Sequence, residues 1–123
     1  MTAKKEDDRS VIQGVISRYY EHADAKDWEN LIDLFSSNIT YQRGTRLMVG
    51  IAELERFYRE VREIKEGEHK YSVKIEPPRA FVKGVFQGRL KNGEEITILF
   101  EDLFEFVDGE IVKRKTTFAD REV

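Results

Sequence analysis

Residues 91–118, KNGEEITILFEDLFEFVDGEIVKRKTTF, decide the fold. Apolar and polar residues alternate from Ile96 to Phe106, and a period of two is typical of a β-strand. The dipeptides Asn92-Gly93 and Asp108-Gly109 flank this strand, and both favour hairpin turns because their residues accept a positive φ. The stretch therefore predicts an antiparallel meander whose strands cover residues 80–90, 95–107 and 110–118.

The register of these hairpins determines which side chains share a face of the sheet. With two-residue turns, Lys83 on one neighbouring strand and Lys115 on the other lie opposite Asp102. One face then carries a row of six residues: Ile96, Ile98, Phe100, Asp102, Phe104 and Phe106. The other face holds apolar residues among charged ones: Phe86, Leu99, Leu103, Val107 and Val112. Since three modest helices can hardly cover both faces, we expect a homodimer through the second face.

Three segments before the meander repeat apolar residues at intervals of three and four, which is typical of helices that bury one face. The first contains Ile12, Val15, Ile16, Tyr19 and Ala23. Asp27 is the predicted N-cap of the second. The inner face of this second helix comprises Trp28, Leu31, Ile32 and Phe35. The third contains Ile51, Leu54, Phe57, Tyr58, Val61 and Ile64, and Gly67 is expected to end it.

Two further strands complete the expected order of elements. A short strand covers residues 39–41, and an alternating strand runs from His69 to Pro77-Pro78. The chain is therefore predicted to be one α+β domain of order ααβαββββ, with its helices on one side of an antiparallel sheet. Residues 1–8 are polar and expected to be frayed, so the domain covers residues 9–123.

The composition argues against several classes of protein. Among 123 residues, 21 Lys and Arg balance 24 Asp and Glu, which argues against a nucleic-acid partner. The absence of cysteine excludes a disulfide scaffold, a zinc-thiolate site and a thiol nucleophile. No stretch approaches the roughly 18 apolar residues of a membrane span, so we expect a cytoplasmic protein without a membrane partner.

Asp102 is the single carboxylate in a row of isoleucines and phenylalanines. Desolvation raises the pKa of a carboxyl group, so Asp102 could act as a neutral hydrogen-bond donor or a general acid. Alternatively, Lys83 and Lys115 flank it in an ordinary ion-paired ladder.

His69 begins a predicted strand and is separated from the apolar residues of that strand by even numbers of positions. It is therefore expected on the same, inward face as they are. Histidine transfers protons near neutral pH, so His69 is a candidate acid or base; alternatively it is a residue at the edge of a loop. His22 lies near the end of the first helix, where it would interact with the helix dipole. With two histidines, no cysteine and no HxH, HxxxH or ExxH spacing, no metal site is expected.

Asp24 and two tyrosines are further candidates. Asp24 closes the first helix, where it could also form an ordinary turn between two helices. Tyr19 and Tyr41 lie on apolar faces, where packing alone would also explain them. Neither a glycine-rich phosphate loop nor a Gly-x-Ser-x-Gly elbow occurs, which disfavours nucleotide binding and a serine hydrolase.

Local motifs between about residues 10 and 120 carry a family resemblance: Tyr19-Tyr20, Lys26-Asp27-Trp28, Leu34-Phe35, Val49-Gly50-Ile51, residues 83–88 (KGVFQG), Lys91-Asn92-Gly93, residues 100–104 (FEDLF) and residues 108–112 (DGEIV). They resemble the nuclear transport factor 2-like superfamily, in its SnoaL-like and ketosteroid-isomerase-like branch. The resemblance implies a cone-shaped fold, in which a strongly curved sheet wraps around three helices, and a homodimer through the sheet. It does not choose a function, because this fold hosts isomerases, cyclases, dehydratases, epoxide hydrolases and proteins without activity.

Two enzyme groups of this superfamily each match in part. In ketosteroid isomerases a tyrosine of the first helix and a protonated aspartic acid form the oxyanion hole, and Tyr19 and Asp102 match them. Arg43 stands where those isomerases have their aspartate base; because arginine cannot accept a proton, this argues against steroid isomerisation by that mechanism.

Scytalone-dehydratase-like members place a Tyr-Asp pair before a Lys-Asp-Trp motif. Asp24 matches the aspartate of that pair, while Ala23 replaces its tyrosine. Tyr41 and His69 fall close to a pocket tyrosine and a catalytic histidine of the same group, and its second histidine has no counterpart.

We therefore expect a small-molecule pocket protein that works without a cofactor, as an acid–base lyase, isomerase or cyclase on a largely apolar, oxygen-bearing polyketide, steroid or terpenoid. His69 would transfer the proton, and Asp24 would orient it or act as a second acid. Asp102 and Tyr19 would donate hydrogen bonds to the developing oxyanion. The ligand is expected to contact Trp28, Phe57, Phe100 and Phe104. The alternative is a non-catalytic ligand-binding or dimerisation module of the same fold.

Overall fold

A computed structural model describes the backbone of residues 2–123 and the side chains of residues 8–123. The expected fraying of residues 1–8 stays a prediction, because this segment lies mainly outside the residues whose side chains are described. Within the described backbone the chain forms three α-helices, a π-helical turn and six strands. In chain order these are α1 (Thr2–Ala25), α2 (Trp28–Ile32), β1 (Phe35–Arg43), β2 (Arg46–Val49), α3 (Ile51–Arg56), the π-turn (Phe57–Val61), β3 (Ile64–Glu76), β4 (Arg79–Leu90), β5 (Glu95–Val107) and β6 (Glu110–Phe118).

The six strands form one mixed sheet in the order β2-β1-β6-β5-β4-β3. The predicted α+β class and the β3–β6 meander are confirmed. One strand was missed: Gly44, with φ of 56°, allows a tight turn that pairs Arg43 with Arg46 and folds β2 back onto β1. The sheet is not wholly antiparallel, because β1 runs parallel to β6.

The register at Asp102 differs from the prediction on both sides. Residues 91–93 form a three-residue loop in which Gly93 has φ of 94°, and this shifts β4 by one residue, so that Val82 lies opposite Asp102. On the other side Phe106 pairs with Ile111 as predicted, but a bulge at Val112 places Thr116 opposite Asp102. The expected neighbours Lys83 and Lys115 therefore lie on the opposite face of the sheet, and the lysine ladder is wrong.

The inner face of β5 is the one predicted. Its six residues from Ile96 to Phe106, Asp102 included, are all buried. Phe86 was expected on the outer face, but the shifted register pairs it with Ile98 and buries it on the inner face. Leu99 and Val107 remain more than half exposed on the outer face.

The helices cover the inner face of the sheet, where α1 packs against β3. Every predicted inner residue of α1 is buried, and so is Tyr20 beside them. Asp27 caps α2 as predicted, since its side chain accepts a hydrogen bond from the backbone N–H of Asn30. Within the described residues, no helix is long and apolar enough to cross a bilayer.

The third helix is shorter than predicted. After Arg56 it widens into the π-turn, which ends with a hydrogen bond from the Arg62 N–H to the Phe57 carbonyl at 2.8 Å. Gly67 does not end a helix, because it lies inside β3 under the ring of Phe86. A Cβ at Gly67 would meet that ring at 2.1 Å, so close packing explains this glycine.

Candidate active site in the interior of the cone

The Asp102 carboxylate on β5 is enclosed by hydrogen-bond donors. Arg114 on β6 donates from Nε to Oδ1 at 3.2 Å and from Nη2 to Oδ2 at 2.8 Å. The hydroxyl groups of Thr116 and Tyr20 also donate to this carboxylate. The bulge at Val112 brings both Arg114 and Thr116 to the inner face beside Asp102.

These contacts reverse the expected protonation of Asp102. Burial acts to raise its pKa, but the Arg114 guanidinium and the hydrogen bonds from Arg114, Thr116 and Tyr20 outweigh burial and hold the pKa below its usual range. Asp102 is therefore an ionised acceptor, and its expected role as a neutral donor to an oxyanion is wrong.

Tyrosine hydroxyl groups surround the other side of Arg114. Arg114 Nη1 donates to the hydroxyl groups of Tyr19 and Tyr58, the latter at 3.1 Å, and these two oxygens are 2.6 Å apart. The Tyr41 hydroxyl lies 2.7 Å from the Thr116 hydroxyl. Burial, opposed by Arg114, raises the pKa of both Tyr19 and Tyr41, so both remain neutral phenols.

His69 and Asp24 meet at the opposite end of the interior, where the end of α1 faces the start of β3. The Asp24 carboxylate lies 2.5 Å from His69 Nδ1 and accepts the backbone N–H of His69 at 3.0 Å. The imidazole packs against the rings of Phe86 and Tyr20, at 4.7 and 5.1 Å between centroids. His22 lies apart from this pair, and its Nδ1 is 3.9 Å from Oδ2 of Asp27.

The environment of His69 suits a neutral imidazole. Burial lowers its pKa below the ordinary 6.5, although the Asp24 carboxylate opposes this shift. When Nδ1 donates to Asp24, the lone pair is on Nε2. No group among the described side chains donates a hydrogen bond to Nε2.

A cavity of about 20 Å³ lies between these two clusters. It has room for about one water molecule. Its walls include Tyr19, Arg43, Arg62, Ile64, His69, Phe86, Ile98, Phe100, Asp102, Arg114, Thr116, Phe118 and Val123. Of the four aromatic residues expected at the ligand, only Phe100 lines it. Trp28 stacks under Arg62, Phe57 packs against Arg43, and Phe104 lies beneath Tyr19 and Tyr20.

Two more arginines reach this cavity. Arg43 on β1 donates to the Tyr41 hydroxyl at 3.0 Å and to the backbone oxygen of Val123 at 2.8 Å. Arg62, just after the π-turn, is 6% exposed, and its guanidinium carbon lies 5.3 Å from the centre of the Trp28 ring. Residues 8–123 contain no cluster of three or more metal-ligating side chains.

Several residues of the site were missed in the sequence. Arg114 stands in the run Lys113-Arg114-Lys115, which is typical of a solvated strand, and only the bulge turns it inward. Tyr20 lies next to a residue of the predicted inner face, and Tyr58 belongs to the predicted apolar face of the third helix. No local signal marks Arg62 as buried.

A family model for the SnoaL-like domain matches residues 16–114. The chain belongs to the SnoaL-like family. This match covers α1 from Ile16 onward, β1 to β5, and the first part of β6. A comparison with curated protein sequences finds no match.

Solved structures with the same fold are similar to this SnoaL-like domain over most of its length. A proposed polyketide cyclase from Xanthomonas campestris pv. campestris is 16% identical with a TM-score of 0.81, over 89% of this chain and 90% of that one. An NTF2-like protein from Exiguobacterium sp. 255-15 is 24% identical with a TM-score of 0.76, over 87% and 99%. An LEH-like epoxide hydrolase from M. tuberculosis is 12% identical with a TM-score of 0.79, over 90% and 84%. These likenesses establish the cone-shaped fold.

Proposed function

We propose that this SnoaL-like protein is a cofactor-independent acid–base enzyme of the isomerase, cyclase or dehydratase type. The observation that carries the proposal is His69, which lines an interior cavity and is held from behind by Asp24. Asp24 holds the imidazole by two contacts, one to the ring and one to the backbone N–H, at 2.5 and 3.0 Å. A carboxylate that fixes one nitrogen of a buried histidine leaves the other as a positioned base.

The proposed step is proton removal from a carbon next to a carbonyl group. The proton passes to His69 Nε2, and the electron pair of the broken C–H bond moves to the carbonyl oxygen. Tyr19 and the Arg114 guanidinium supply hydrogen-bond donors for that oxygen. Asp102 is a positioning residue, because it holds Arg114 by two hydrogen bonds. Returning the proton from His69 to another carbon isomerises the substrate. If His69 instead gives the proton to a β-hydroxyl group, the C–O bond breaks, water leaves and the substrate is dehydrated.

The walls favour a substrate with an apolar body. Phe86, Ile98 and Phe100 line the cavity beside His69, while the polar groups lie toward the other end. The names of two structural neighbours, a proposed polyketide cyclase and an epoxide hydrolase, agree with an oxygen-bearing organic substrate. The proposal requires no metal and no cofactor, because proton transfer next to a carbonyl needs only placed acids and bases.

The proposal is tested by turnover of β-hydroxy ketones and β,γ-unsaturated ketones, followed by the ultraviolet absorbance of the conjugated product. His69→Gln should reduce kcat at least about a hundredfold, as expected for loss of a general base. His22→Gln is the matched control, since His22 lies outside the cavity. Equal turnover by the wild type and His69→Gln would overturn the assignment.

A non-catalytic ligand-binding or dimerisation module is the second candidate. The small volume of the cavity, about 20 Å³, favours the dimerisation module, because any substrate or ligand has to displace side chains before it can enter. Saturable ligand binding without turnover of any of these ketones would support this alternative.

A further inference from the structure

The interior of the cone holds more positive than negative charge. Arg43, Arg62 and Arg114 are all less than 8% exposed, and Asp102 is the one carboxylate among the described residues that is buried to the same degree. Arg114 uses this carboxylate in a two-point ion pair. Two guanidinium groups therefore remain without a carboxylate partner among the described side chains.

Arg62 is the less satisfied of these two groups. Its Nε is fully buried and has no hydrogen-bond partner within the described residues. No ion pair to Arg62 is found among these residues either. Its guanidinium group makes a cation–π contact with the face of the Trp28 ring. A buried charge without a partner costs several kcal/mol, so a native arginine in this state requires an explanation.

Arg43 is held by two oxygen acceptors. It donates to the Tyr41 hydroxyl and to the backbone oxygen of Val123, and its guanidinium carbon lies 5.1 Å from the ring centres of both Phe57 and Phe118. Arg62 is therefore the buried arginine that lacks a hydrogen-bond partner among the described residues. The positive charge nearby also adds to the desolvation that lowers the pKa of Arg62.

Arg43 and Arg62 stand between the cavity and the surface. Both line the interior cavity and also a surface depression of about 130 Å³. Val123 is the third residue that the two spaces share. These three residues therefore form the mouth of the cavity.

We propose that the mouth of this cavity binds the carboxylate of a small organic acid, with the carboxylate on Arg62 and Arg43 and the apolar body directed toward Phe86, Phe100 and His69. This rests on the proposed function, because it names the substrate class of the same site. The ligand's carboxylate contributes to binding and does not react, and the reacting carbon lies further inside the cavity, beside His69.

The chemistry of the mouth favours a carboxylate over a phosphate. A guanidinium group presents its N–H donors in a planar fork that matches the two oxygens of a carboxylate. Half of the residues that line the cavity beyond the mouth are apolar, and these suit a carbon body: Ile64, Phe86, Ile98, Phe100 and Phe118. A monovalent anion would neutralise Arg62, the group that lacks any partner among the described residues.

Isothermal titration calorimetry with 3-phenylpropionate and its amide at constant ionic strength tests the proposal. The acid should bind and the amide should not, because the two differ in the charge that Arg62 would recognise. Arg62→Gln should weaken binding of the acid at least about tenfold, as expected for loss of a charge-assisted hydrogen bond. Arg56→Gln is the matched control, because the Arg56 side chain is 75% exposed.

Two further measurements keep the test decisive. Without ligand, Arg62→Gln should melt at the same temperature as the wild type or higher, because it removes an unpaired buried charge. If this variant does not fold, Arg62→Lys, which keeps the charge but loses the planar fork, should still weaken binding.

Three results would overturn the inference: equal binding of acid and amide, equal binding by wild type and the Arg62 variants, or equal competition by inorganic phosphate. Binding of the acid through Arg62, with no turnover of any acid or ketone, would retain the inference and reject the proposed function. Turnover of neutral ketones that depends on His69, without binding of the acid, would reject the inference alone.

Discussion

Arg114 holds Asp102 by two parallel hydrogen bonds, at 3.2 and 2.8 Å, where both side chains are almost fully excluded from solvent. This pair joins β5 to β6 across the inner face of the sheet. The Coulomb attraction is strong there because water does not screen it, but removing both charges from water is costly. The pair therefore serves mainly to set the position of Arg114 beneath Tyr19 and Tyr58.

Asp102→Asn should destabilise the protein by about 3–5 kcal/mol, because it leaves Arg114 buried without a counter-charge. Urea unfolding followed by circular dichroism measures this. The double variant Asp102→Leu with Arg114→Met should recover much of the loss, since it removes both charges together. A double variant less stable than Asp102→Asn would contradict this account.

His69 should titrate below the ordinary histidine pKa of 6.5, because burial outweighs the opposing effect of Asp24. Asp24→Asn should lower the pKa of His69 further, since it removes the carboxylate that stabilises the imidazolium. The imidazole proton shifts of His69 in NMR spectra of the two proteins report both values. A rise in the pKa of His69 in Asp24→Asn would refute the assigned pairing.

Acidification should destabilise the fold in two stages. The folded pKa of His69 lies below 6.5, so the unfolded chain binds more protons and the free energy of unfolding falls as the pH drops below about 6.5. The folded pKa of Asp102 lies below 3.8, so a second loss begins below about pH 3.8. Urea midpoints between pH 8 and pH 3 measure both. His69→Gln should remove the first stage and leave the second.

The meander and its inner face were predictable because a period of two persists through β5 and glycine turns flank it. The partners of Asp102 were not predictable. An Asn-Gly pair occurs in two-residue and in three-residue loops, and the choice shifts every cross-strand pair by one. The bulge at Val112 has no local signal, yet it alone brings Arg114 to the inner face.

The contacts of His69 and of Arg62 were not predictable from the sequence either. His69 and Asp24 were each predicted as candidates, but their contact joins residues 45 positions apart and depends on how α1 crosses β3. Arg62 follows the π-turn, which adds a residue to the helical repeat and changes the direction of the next side chain.

The outer face of the sheet should form a homodimer interface. Leu99 and Val107 are each 56% exposed there and Phe81 is 38% exposed, so the monomer leaves apolar side chains in water on this face. Wild-type protein should sediment as a dimer at micromolar concentration, and Leu99→Lys should sediment as a monomer. Val11→Lys, on the opposite side in α1, is the matched control and should remain dimeric. A wild type that stays monomeric at 100-fold higher concentration would exclude this interface.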